Sequence, residues 1–245
     1  MDSLIAKFSK LSLHQNKIIL IQKCFRGWRV RKRHLPLILY RIRTYLKSIT
    51  FNFSSQTNDG RVNSSLDEDE IIKLLVKKFN HLIKKPKSRM WYDILLYDRL
   101  YGWLPVNIKT TTMVTADNTG NLAMCVYSYT NKPLNLNSTY ENGDMADILF
   151  THLHAKKYNK NVHKDYYFIV LNKKDPTDVV INSIKGLTVL TPNINNLPFQ
   201  VCWNKNREYH YDYIANKISL FIHCIQKPNP SWKETFLNNM RNIKC

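Results

Sequence analysis

The chain has 245 residues, 44% hydrophobic and 12% aromatic, with only 6 Gly and 9 Pro; this excludes collagen-like, low-complexity and wholly disordered chains and suffices for a core without disulfide or metal staples. Lys and Arg number 37 against 18 Asp and Glu, a net charge of +19, which predicts attraction to a polyanion such as nucleic acid, an acidic protein or a membrane surface. The charge is uneven, since residues 1–50 hold 12 Lys/Arg and a single acid.

The opening MDSLIAKFSK lacks the apolar run of a signal peptide, and no apolar stretch is long enough to span a bilayer. Five cysteines, at 24, 125, 202, 224 and 245, are scattered without a CxxC pair. Neither a zinc knuckle nor a secreted disulfide framework is indicated, so an intracellular setting, cytoplasmic or nuclear, is expected rather than secretion. RVRKR at 29–33 has the composition of a nuclear address, as have many basic runs.

Ile18, Ile21, Cys24, Phe25 and Trp28 recur at helical spacing, and the pattern resumes after Pro36 with Leu37, Ile38, Ile42, Tyr45 and Leu46. Residues 1–53 therefore read as a basic helical extension broken at Pro36, and the polar stretch 54–64 as a linker. A helix is expected from Ser65, capped by its hydroxyl with Glu68 closing a capping box, with Glu70 near its start and Ile71, Ile72, Leu74, Leu75, Phe79 and Leu82 as its buried stripe. Strand patterns follow at 91–98, 103–112 and 122–130, a helix at 142–158, strands at 166–172 and 178–184, and a last helix at 209–223. This order predicts one α/β or α+β domain over 65–245, a central mixed sheet flanked by helices.

Within the first helical pattern, Ile21, Gln22, Arg26, Gly27 and Arg31 fall at the spacing IQxxxRGxxxR. This resembles the IQ motif of calmodulin- and light-chain-binding proteins. On a helix an apolar anchor enters a partner groove while the amide and arginines face acidic rims, so the resemblance implies a calmodulin-like EF-hand partner. The motif's usual terminal apolar residue is replaced by His34, with Leu35 one step late. The same residues also suit a basic amphipathic helix on its own domain, on anionic lipid or on DNA phosphates.

Further along, Asp93, a turn at Gly102, and Pro105-Val-Asn-Ile-Lys109 resemble the core of the PD-(D/E)xK restriction-endonuclease-like family, in which one strand bears an Asp and the next an acidic residue two places before a Lys. Strand alternation puts 107 and 109 on one face, and a hairpin brings Asp93 beside them. The resemblance covers residues 65–205 and implies Mg²⁺ held by Asp93 with help from Glu70 or Asp117, Lys109 orienting a water, and DNA as partner. Asn107 stands where the family carries an acid, so a neighbouring carboxylate, Glu70, Asp98 or Asp117, must supply the missing charge or the site is inactive. Asn118, Asn196 and Gln200 offer amides for base edges, although an Asn-rich loop composition also accounts for them. A homodimer is compatible with the resemblance.

Overall fold

The computed structural model describes residues 17–18, 35–54, 60–193 and 198–225. The chain divides into two units, Met1–His34 and Leu35–Cys245. In the first, Lys17 and Ile18 are helical; Ile21, Gln22, Arg26, Gly27 and Arg31 lie outside the described residues, as does Asn196 in the second unit.

Pro36 has no N–H to give and stands at φ −51°, ψ 141°, so helix α1 (Leu37–Ser48) starts directly behind it. Its first free N–H groups need an acceptor, and the Ile38 N–H finds Asp98 Oδ2 at 3.2 Å. The other oxygen of Asp98 accepts from the Leu100 N–H at 2.9 Å. Asp98, one of the carboxylates that could have supplied the missing acid, is thus committed to a helix cap and a turn. Ile38, Leu39, Ile42 and Leu46 of α1 are buried, and Arg43 Nε donates to the Val179 carbonyl at 3.0 Å. Residues 35–53 therefore pack into the body; the amphipathic pattern assigned to an extension marks a helix covering a sheet, and the boundary falls at 34/35.

Helix α2 runs Gly60–Phe79, five residues earlier than the capping-box pattern at Ser65 suggests, so residues 65–70 are helix interior. Ile71, Ile72, Leu75 and Phe79 are buried on one face. The five-stranded mixed sheet comprises β1 (Ile83–Lys84), β2 (Ile94–Asp98), β3 (Gly102–Thr111), β5 (Tyr167–Asn172) and β6 (Asp175–Ser183), in the order β1-β2-β3-β5-β6. Only β3 and β5 run parallel. The expected turn at Gly102 is present, and its φ of +72° is a backbone conformation that a Cβ disfavours. β4 (Ala116–Asn118), β7 (Thr191–Pro192) and β8 (Phe199–Cys202) form a second, three-stranded sheet.

Alternation sorts the main sheet between two cores. Leu104, Val106 and Ile108 of β3 and Tyr167, Ile169 and Leu171 of β5 join α1 and α2. Phe168 and Val170 face the other core with Tyr166, Trp203 and helices α3 (Leu122–Tyr129), α4 (Asn142–His154) and α5 (Ile214–Ile225). The mixed sheet flanked by helices is as expected. Segment 122–130 is not: it is helix α3, capped by Asn121 Oδ1 accepting the Met124 N–H at 2.8 Å. All eight of its residues are buried, and a short run buried on every side has no polar face whose period would separate helix from strand. Among the described residues no helix is long and apolar enough to cross a membrane.

Candidate functional site

The hairpin register pairs Ile94 with Val106, and the Asp93 N–H continues it to the Val106 carbonyl at 3.0 Å. Asp93 is thereby set against Asn107, as the sequence spacing predicts. β2 ends there, whereas β3 continues to Thr111 with only β5 beside it. The N–H groups of Ile108 and Thr110, two residues apart, point to this open edge and need acceptors.

Two carboxylates supply them. Asp93 Oδ2 accepts from the Ile108 N–H at 2.7 Å, and Glu68 Oε1 accepts from the Thr110 N–H at 3.3 Å. Glu68 Oε1 also lies 3.6 Å from Lys109 Nζ. Ser64, one turn earlier on α2, ties the helix to the same residue: Thr110 Oγ1 donates to the Ser64 carbonyl at 3.4 Å, while the Ser64 hydroxyl gives its proton to the Gly60 carbonyl at 2.8 Å. Among the described residues the second oxygens, Asp93 Oδ1 and Glu68 Oε2, make no hydrogen bond.

Burial sets the electrostatics. It pushes Glu68 up to about 7, with Asp93 adding to the rise and Lys109 and the Thr110 N–H opposing it. It raises Asp93 as well, against the Ile108 N–H and Lys109. One ammonium thus stands beside two desolvated carboxylates, and a further positive charge would favour the ionised form of both.

Glu68, rather than Glu70, is the helix residue that reaches the site; Glu70 is exposed. The signal was in the sequence, because Glu68 precedes Ile71, Ile72 and Leu75 by three, four and seven residues and so lies on the buried stripe. Asp117 sits on β4 with both oxygens in use, Oδ1 accepting from Thr111 Oγ1 at 3.3 Å and Oδ2 from Trp203 Nε1 at 2.9 Å. The Asn107 side chain meets the Tyr166 hydroxyl, while its Oδ1 is buried without a hydrogen-bond partner. Asn118 and Gln200 are cross-strand neighbours, and Gln200 Nε2 and Asn193 Nδ2 both donate to Asn118 Oδ1, at 2.7 and 2.9 Å. Among the described residues no three His, Cys, Asp or Glu side chains are grouped to hold a metal ion.

The family model of the IQ calmodulin-binding motif matches residues 15–35, so the N-terminal segment carries that motif. It supports a calmodulin-like or light-chain partner for those residues alone. No curated protein matches the chain.

Proposed function

We propose that the body is a nuclease-like domain of the PD-(D/E)xK type that hydrolyses DNA phosphodiester bonds, and that the IQ segment binds calmodulin or a related light chain. The observation that carries the first half is the convergence of Glu68 and Asp93 on adjacent N–H groups of β3 with Lys109 between them. Three oxygens free of other partners suit a hard divalent cation that keeps part of its water shell, namely Asp93 Oδ1, Glu68 Oε2 and Asn107 Oδ1. These residues would hold Mg²⁺, which when bound polarises phosphate oxygens and lowers the pKa of water. Lys109, held by Glu68, orients the attacking water or offsets charge growing on the phosphate. Asp93 and Glu68 fix the edge of β3 so that the lysine keeps its place, and Asn118 and Gln200 offer amides to the substrate. An intracellular setting, cytoplasmic or nuclear, belongs to the same proposal.

Asp93→Asn and Lys109→Ala are expected to lower Mg²⁺-dependent DNA cleavage by at least about 10³-fold, the scale of losing a positioned electrostatic group, with the cooperative melting transition retained. Wild-type protein that cleaves neither single- nor double-stranded DNA with Mg²⁺ or Mn²⁺ would overturn the catalytic reading. Asn107 favours a second reading, a catalytically inactive nuclease fold used for binding or scaffolding, because an amide brings no charge to a cation site. That reading expects nucleic-acid or calmodulin binding without cleavage. For the IQ segment, a calmodulin pull-down with and without Ca²⁺ should capture the chain and lose it when Ile21, Gln22 and Arg26 are replaced by Ala; no capture in either condition sinks the assignment.

A further inference from the structure

Outside the first 50 residues the chain holds 25 Lys/Arg and 17 acids, yet residues 71–92 contain seven Lys/Arg and no acid. The stretch that ends one residue before Asp93 thus carries a net +7, against +8 for residues 51–245 as a whole. It also lines a cleft of about 210 Å³. Lys84, Lys85 and Lys87 stand around it, Met90, Tyr92 and Leu95 form its apolar floor, and no acidic side chain lines it. The Tyr92 hydroxyl donates to the Leu136 carbonyl, which holds the floor in place. Lys84 pairs with Leu95 across β1 and β2, and its ammonium lies 4.2 Å over the Trp103 ring. Tyr97, 40% exposed, packs against that ring at 5.2 Å. By alternation Tyr97, Leu95 and Asp93 share a face of β2, and Trp103, Asn107 and Lys109 share the matching face of β3. An aromatic pair, a cationic cleft and the carboxylate–lysine site therefore follow one another along a single sheet face.

We propose that this cleft and the exposed Tyr97 beside it bind a single strand of nucleic acid, with phosphates on Lys84, Lys85 and Lys87 and a base against the Tyr97 ring. Cations alone would take any polyanion. The exposed Tyr97 ring beside them is the stacking surface that a strand with unstacked bases uses and an acidic peptide does not. That the strand leads on to the scissile position rests on the phosphodiesterase reading; the binding itself does not.

The test uses the full chain in EDTA, where cleavage cannot contribute, and measures anisotropy of a labelled mixed-sequence 15-nucleotide DNA strand across a salt series. The variant K84Q/K85Q/K87Q should bind at least tenfold more weakly and with a salt slope smaller by about 2, since each phosphate contact to a single strand contributes about 0.7. Y97A, which leaves the charge intact, should weaken binding with the slope unchanged. K132Q/K156Q/K157Q removes the same charge from exposed positions elsewhere and should stay within twofold of wild type. Equal losses in the two triple variants, unchanged affinity in the cleft variant, or equal competition by polyglutamate and by the strand each overturn the proposal. Cleft-dependent binding by a wild-type protein that never cleaves leaves the proposal standing and removes only the catalytic reading.

Discussion

Lys109 and Lys185 each lie beside desolvated carboxylates, but they differ in what is left over. Lys185, 2% exposed, follows β6 in a short 3-10 turn, and its ammonium donates to the carbonyls of Asn159, Asn161 and Lys164 at 3.4, 2.8 and 3.1 Å. Those three bonds exhaust its donors. Asp165 beside it is fully buried, with Oδ1 accepting from its neighbour's N–H at 2.8 Å and Oδ2 from the Lys185 N–H at 3.1 Å. At the open edge of β3, by contrast, Lys109 has one carboxylate at 3.6 Å and keeps a quarter of its side chain exposed. There two carboxylate oxygens and one buried amide oxygen remain unused. A polar cluster that satisfies itself holds a fold together; one with spare acceptors has something to offer a ligand.

The largest expected effect lies in the satisfied cluster. Lys185→Ala leaves the Asn159, Asn161 and Lys164 carbonyls without their donor and buried Asp165 without its neighbouring positive charge, which should cost about 3–5 kcal/mol in urea denaturation; a loss below about 1 kcal/mol would remove the contrast. Next comes Glu68→Gln. Because burial raises the folded-state pKa of Glu68 to about 7 from 4.5, the folded chain binds more protons than the unfolded one between those values. Its contribution is therefore most favourable below pH 4.5 and falls as pH rises to 7, by about 3 kcal/mol. Denaturation at pH 5 and pH 8 should show a smaller loss for Glu68→Gln than for wild type, and equal losses would place the carboxylate in water. Lys185 titrates in a separate window: its folded-state pKa is lowered by burial to about 8 from 10.5, so its contribution rises with pH between those values, and the Glu68 test falls below it. The smallest effect is expected from Asn107→Asp. Adding the missing charge should tighten Mn²⁺ binding about tenfold, roughly 1.4 kcal/mol, read by calorimetry on the intact chain. No change would mean that position 107 does not face the cation.

Strand alternation and a Gly turn suffice to place Asp93 beside Asn107 and Lys109, because both are local rules and the hairpin is a local structure. Glu68 is equally accessible through its spacing to Ile71, Ile72 and Leu75, but a helix start at Ser65 assigns it to a capping box and leaves Glu70 as the candidate ligand. Asp117 could not be placed from sequence, since its carboxylate is engaged by Trp203, 86 residues away, through the pairing of β4 with β8. Segment 122–130 differs for another reason: buried on every side, it has no exposed polar face and so carries no period.

The sequence by itself determined the IQ pattern, the mixed α/β class, the Asp93–Lys109 hairpin and the concentration of charge in residues 71–92, all of which depend on spacing along a short stretch of chain. Only the tertiary structure decided that Leu35 and α1 belong to the body, that Glu68 joins Asp93 and Lys109 while Asp98 and Asp117 are spent elsewhere, and that Lys84, Lys85 and Lys87 of the charge run line one cleft. Those outcomes turn on which buried donors and acceptors meet across long sequence separations, and composition and periodicity do not contain that information.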